Sequence, residues 1–113
     1  MPKKAKSYTK QSDQRMVLSE MSRSIPMIVR IHKTGCPACE TSEEPWQEFC
    51  DRSPPGMRII QVEETALPPQ IATGIEGYPT YAVHKDGKSW HHTGALMDAG
   101  AIQDLIDSHQ GSS

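Results

Sequence analysis

No stretch of this chain approaches the ~20 consecutive apolar residues that a membrane helix needs. Its first residues also lack the hydrophobic centre of a secretory leader, so neither a spanning segment nor a secretory signal is expected. Cysteine is scarce. The count of three is odd and two of them share one short motif, which argues against a structural disulfide framework. A reducing, cytoplasmic setting fits that usage. There is no internal repeat. The hydrophobic fraction is low at 35%, and 113 residues suffice for one compact domain with a modest core, not two. Charge is nearly balanced overall but unevenly placed. Residues 1–15 hold Lys3, Lys4, Lys6, Lys10 and Arg15 against Asp13 alone, a net +4 that leaves −6 on the remainder. Residues 1–15 therefore read as a flexible basic arm and 16–113 as an acidic domain. A plain solubilising terminus is favoured over an arm that contacts nucleic acid or an acidic partner.

What is present alternates between helical and strand patterns. Val17, Leu18 and Met21 are spaced for a short helix over 16–23, ended by Pro26. Met27–His32 is β-rich and nearly continuous in apolar residues at its start, as in a buried parallel strand. After the turn Lys33-Thr34-Gly35, a helix is predicted from Pro37 to Arg52, kinked by Pro45 and stopped by Ser53-Pro54-Pro55-Gly56. Strands are predicted over 57–62, 79–85 and 88–93, the last two joined at Asp86-Gly87. A short helix opens at Pro68-Pro69. Asp98 caps a final helix with Ile102, Leu105 and Ile106 on one face. An extra strand around Ser7 to Lys10 is also compatible with the pattern. The order implies an α/β fold, a mixed sheet covered on both faces.

The chemistry lies in Cys36-Pro37-Ala38-Cys39, which opens a helix directly after a strand, and in Gly77-Tyr78-Pro79-Thr80, which enters another. With Gly74-Ile75-Glu76 before the second block and Thr93-Gly94-Ala95-Leu96 after the hairpin, this arrangement resembles the thioredoxin family over residues 17–110. The resemblance implies a thioredoxin-like fold and thiol–disulfide exchange with protein substrates, re-reduced by an unidentified electron donor. It implies no metal or organic cofactor. Cys36 would be the exposed nucleophile and Cys39 the buried resolving thiol. Pro79 would be cis, and Gly35, Pro37, Ala38, Tyr78, Pro79 and Gly94 would frame the substrate groove.

These residue types suit the task. Exchange needs a thiolate, and a helix N-terminus with unpaired N–H groups favours negative charge at Cys36. Cys39 lies three residues on, on the same side of the first turn. The chain also departs from the family pattern. Gly35 stands where tryptophan is usual, and the central dipeptide is Pro-Ala. Arg30 occupies the place of the buried acid six residues before the first cysteine, and Gln61 that of its lysine partner. A guanidinium cannot accept a proton. Arg30 is expected to pair with a carboxylate, with Glu63 and Glu64 as candidates, or to reach solvent along its stem. Glu40, Glu43 and Glu44 follow the motif and oppose a thiolate there.

Other readings compete with the redox one. Cys36 and Cys39 could be half of a zinc site completed by His32, His84, His91 or His92, but no second Cys-x-x-Cys exists. Cys50, Trp46 and Phe49 read as core, and His84 as a hydrogen-bonded strand residue. A second class of function is a structural or adaptor subunit of a larger assembly, with the cysteine pair vestigial.

Overall fold

The computed structural model describes residues 5–53 and 55–108. Ten elements follow one another: β1 (Lys6–Tyr8), α1 (Gln14–Met21), β2 (Met27–His32), α2 (Pro37–Thr41), α3 (Glu43–Arg52), β3 (Arg58–Glu63), α4 (Pro69–Ala72), β4 (Thr80–Lys85), β5 (Lys88–Thr93) and α5 (Ala99–Asp107). Short 3₁₀ turns at Gln11–Asp13 and Glu64–Ala66 were not foreseen. Among the described residues no helix is long and apolar enough to cross a membrane.

The five strands form one sheet in the order β1-β3-β2-β4-β5. β1 and β2 run parallel to β3, whereas β4 is antiparallel to β2 and β5 to β4. The connection from β2 to β3 is a helical crossover, which parallel pairing requires. β4 and β5 need only a two-residue turn. Asp86 and Gly87 take positive φ values of 55° and 76°, the backbone that matches strand twist in a tight hairpin.

Strand residues alternate between the two faces. On one face, Met27, Val29 and Ile31 of β2 join Ile60, Val62, Leu67 and Val17. On the other, Ile28 meets Trp46, Phe49, Tyr81, Val83, Ile102 and Ile106, under α3 and α5. Full burial of each such aliphatic side chain stabilises by roughly 1.5–3 kcal/mol. The Asp98 carboxylate accepts the Ala101 N–H at 2.8 Å, so α5 starts where its cap predicts.

The single helix expected from Pro37 to Arg52 is two. The break falls at Ser42, between α2 and α3. Pro45 has no N–H for the Thr41 carbonyl, and its ring crowds that group, so the interruption sits one turn before the proline.

The arm expected over residues 1–15 is corrected for the part described. Lys6–Tyr8 adds an edge strand to β3, with Tyr8 opposite Val62 and 4% exposed. The Tyr8 hydroxyl donates to Glu20 at 2.8 Å, and Glu20 is also held by Arg58 and Arg23. Net charge and low hydrophobicity suggested a solvated tail, but one aromatic residue and a line of backbone hydrogen bonds suffice to dock it. The strand lies slightly before the Ser7–Lys10 stretch considered for it. Residues 1–4 lie outside the described residues.

Candidate active site

β2 ends at His32, and the turn through Gly35 takes a positive φ of 78°, which glycine adopts without steric cost. Glu63 at the end of β3 braces this turn by accepting the Thr34 hydroxyl at 3.0 Å. The chain then delivers Cys36 in an extended conformation as the cap of α2, with Pro37 at the first helical position. The Cys36 Sγ accepts the Cys39 N–H at 3.1 Å, so the sulfur takes up one of the unpaired donors of the helix start. Its thiol also points at the Tyr78 carbonyl, 3.7 Å away.

The Tyr78–Pro79 peptide bond is cis. Pro79 is buried, and its carbonyl accepts the Gly94 N–H at 2.8 Å, which ties the start of β4 to the end of β5. Gly94 has a φ of 115° and offers no side chain at this edge. The Tyr78 ring is partly buried, with the Lys33 ammonium 5.6 Å from its centre. The fold thus brings Cys36, Cys39, Tyr78, Pro79 and Gly94 together, with Gly35 and Pro37 exposed on the rim and Ala38 half-buried.

The three thiols differ in environment. Cys36 is half-buried, Cys39 is 5% exposed and Cys50 is 1% exposed. Burial pushes the Cys39 thiol up to about 11, helped by the hydrogen bond with Cys36 and opposed by the Lys33 backbone and the Arg30 charge. Burial beside Asp51 and Glu43 pushes Cys50 up to about 12, as an inert core thiol requires.

Arg30 is 1% exposed and lies beneath the motif. Its Nη2 donates to the Cys39 carbonyl at 2.8 Å and to the Ser42 hydroxyl at 2.9 Å, and its Nη1 donates to Glu43 at 3.1 Å. The guanidinium carbon sits 5.9 Å from the Trp46 ring centre and 6.0 Å from that of Tyr81. Arg30 thus pairs with a carboxylate as expected, but the partner is Glu43, and the candidates Glu63 and Glu64 are corrected. Arg30 leaves the sheet on the α3 side, where Glu43 passes over it, while Glu63 is engaged by Thr34 and Thr65. Glu43 consequently faces a fixed cation and does not act as an unopposed negative charge beside Cys36. Gln61, opposite Arg30 on β3, accepts the Trp46 indole N–H at 2.8 Å.

Two further neighbours complete the site: Ser42, which the sequence does not single out, and His32, considered there only as a zinc ligand. Ser42 is fully buried and bridges the Arg30 guanidinium to the Ala38 carbonyl. His32 lines an open cleft of about 330 Å³ together with Cys39, Lys33, Glu40 and Glu43. Its signal was the two-residue period of β2, which puts His32 on the same face as Arg30. Among the described residues no cluster of three or more His, Cys, Asp or Glu side chains could hold a metal ion.

No protein-family model matches the sequence, and no curated protein matches it. Solved structures do. Chloroplastic thioredoxin z superposes with a TM-score of 0.73 at 16% identity, over 99% of each chain. The thioredoxin of Malassezia sympodialis gives 0.70 at 17% identity, covering 97% of this chain and 94% of its own. A thioredoxin of Schistosoma mansoni gives 0.70 at 19%, covering 93% and 94%. The likeness is one of fold, and the chain has the thioredoxin fold, a mixed five-stranded sheet flanked by helices.

Proposed function

We propose that this protein exchanges thiols and disulfides with protein substrates through Cys36 and Cys39. The observation that carries the reading is the pairing of a half-buried Cys36 Sγ, bonded to the Cys39 N–H, with a buried Cys39 one turn on and the cis Tyr78–Pro79 segment alongside. In the forward direction the Cys36 thiolate attacks a substrate disulfide. One substrate sulfur leaves with the electron pair and the other is held as a mixed disulfide. Cys39 then attacks Cys36, a Cys36–Cys39 bond forms, and the second substrate sulfur departs as a thiolate that takes up a proton. The substrate gains two electrons and the cysteine pair loses them. A thiol electron donor, not yet identified, returns the pair to its reduced form.

In this reading Tyr78 and Pro79 present backbone to an extended substrate segment, with Gly94, Gly35, Pro37 and Ala38 forming the rest of the groove. A reducing, cytoplasmic environment keeps all three thiols free. Turbidity from insulin reduction by dithiothreitol tests the proposal. The protein should accelerate it, and Cys36→Ser should abolish the acceleration. A wild-type protein no faster than dithiothreitol alone would reject the reading and leave the adaptor role in its place.

A further inference from the structure

Resolution of the mixed disulfide requires Cys39 to lose a proton, and the buried thiol holds it up to about 11. Arg30, at the position where the resemblance places an acid, has no lone pair to offer and is locked by Cys39, Ser42 and Glu43. The acceptor must be another group facing the same space. The charged and titratable side chains around it come from every adjoining element: Arg30 and His32 on β2, Lys33 in the turn, Glu40 on α2, Glu43 on α3, Glu63 on β3 and Tyr78 before β4, whose phenol burial pushes above its usual value so that it keeps its own proton.

Most of these are excluded by what they already do. Lys33 is a cation. One Glu43 oxygen accepts Arg30 and the other accepts Gln47 at 2.8 Å. Glu63 accepts from Thr34 and Thr65, bonds that hold its carboxylate below the usual range against the opposing effect of burial. Glu40 is exposed to solvent at the cleft rim.

His32 remains. It is partly buried, shares its face of β2 with Arg30, and lines the cleft that also reaches Cys39. Burial, then the Arg30 charge, push its imidazole down, against smaller opposing effects of Glu43 and Glu63. It is therefore neutral at neutral pH and carries a lone pair.

We infer that His32 accepts the Cys39 proton, through water in this cleft, as the mixed disulfide resolves. The inference rests on the exchange reaction proposed above. As the proton passes to the imidazole, the Cys39 sulfur bonds to Cys36 and the Cys36–substrate bond breaks. The departing substrate thiolate carries the electron pair, and the imidazolium returns its proton to that thiolate or to solvent. Arg30 serves as the fixed cation that positions the Cys39 carbonyl.

Stopped-flow mixing of the reduced full-length protein with 5,5′-dithiobis(2-nitrobenzoate) separates the two steps. The first burst of released thiolate is attack by Cys36 and depends on reagent concentration. The second is resolution by Cys39 and does not. In the wild type the second phase should rise with pH through a titration below about 6.5, the unperturbed imidazole value. His32→Gln should slow it about ten-fold or more near neutrality, erase that rise and spare the first phase. Free imidazole, admitted by the open cleft, should restore part of the rate. A second phase in wild type that lacks an inflection in the imidazole range overturns the assignment without any variant. So does a folded His32→Gln protein with an unaltered second phase, or a Glu43→Gln variant that alone loses the limb. Absence of any second phase, or a first phase that survives Cys36→Ser, would instead reject the exchange reading itself.

Discussion

The two faces of the sheet are built from the same strands to different ends. On the α1 and α4 side, β2 contributes Met27, Val29 and Ile31, all fully buried, to an aliphatic core. On the α3 and α5 side it contributes Ile28, then Arg30, then His32. There the interior is aromatic, with Trp46 and Tyr81 against a buried guanidinium, Phe49 stacked on Trp46, and the Cys39 carbonyl bonded to that guanidinium. The contrast separates tasks by residue parity. One face needs only apolar volume, so any well-packed aliphatic set serves. The other must hold a charge and a reactive loop in place, so its buried polar atoms need partners, which both Arg30 Nη atoms have and its Nε does not.

That division can be broken by experiment. The largest effect is expected from Arg30→Asp. It places a carboxylate against the Cys39 carbonyl, the Ser42 hydroxyl and Glu43, and should cost on the order of 3–5 kcal/mol in urea unfolding while also disturbing exchange. An Arg30→Asp protein of unchanged stability would show that the polar face does not depend on this cation. Next comes Ile60→Ala, in the centre of the aliphatic face and 0% exposed. It should cost about 2–5 kcal/mol. Its exchange rate, normalised to folded protein, should equal that of the wild type. A changed normalised rate would mean that the two faces are coupled.

The smallest effect is a graded one with pH. The Arg58 hydrogen bond, with those from Tyr8 and Arg23, holds Glu20 down to about 2 despite burial. A depressed carboxylate contributes stability above its unfolded value of 4.5, and that contribution is lost as pH falls from 4.5 toward 2. His32 and His84 have imidazoles lowered from 6.5, chiefly by burial, so the unfolded chain gains protons first and stability starts to decline just below 6.5. Urea midpoints measured across this range should show both limbs, and Glu20→Gln should shrink only the lower one, leaving the part that the lowered Glu63 carboxylate contributes. An undiminished lower limb in Glu20→Gln would locate the acid sensitivity elsewhere.

Legibility followed the range of the interactions. The hairpin at Asp86-Gly87, the Asp98 cap, the strand Met27–His32 and the helix opening at Pro37 depend on dihedral preferences and on neighbours a few residues away. All could be read from the chain. The break at Ser42 was half-legible, since Pro45 predicts an interruption but a proline acts on the turn before it. β1 was obscured because its docking depends on Val62, 54 residues after Tyr8, and a lysine-rich stretch carries little apolar signal of its own.

By itself, the sequence determined that a cysteine pair would open a helix beside a β-strand, that Pro79 would enter a second strand, and that Arg30 and His32 would share a face. These are consequences of local backbone preference and the two-residue strand period. Only the tertiary structure decided which acid meets Arg30. Glu43 won over Glu63 and Glu64 because α3 crosses the face from which the guanidinium emerges, whereas the Glu63 carboxylate is bound at the turn. The same packing opened the cleft between His32 and Cys39. No periodicity in the chain encodes that cleft, because it lies between elements and is lined by residues from β2, the turn, α2 and α3.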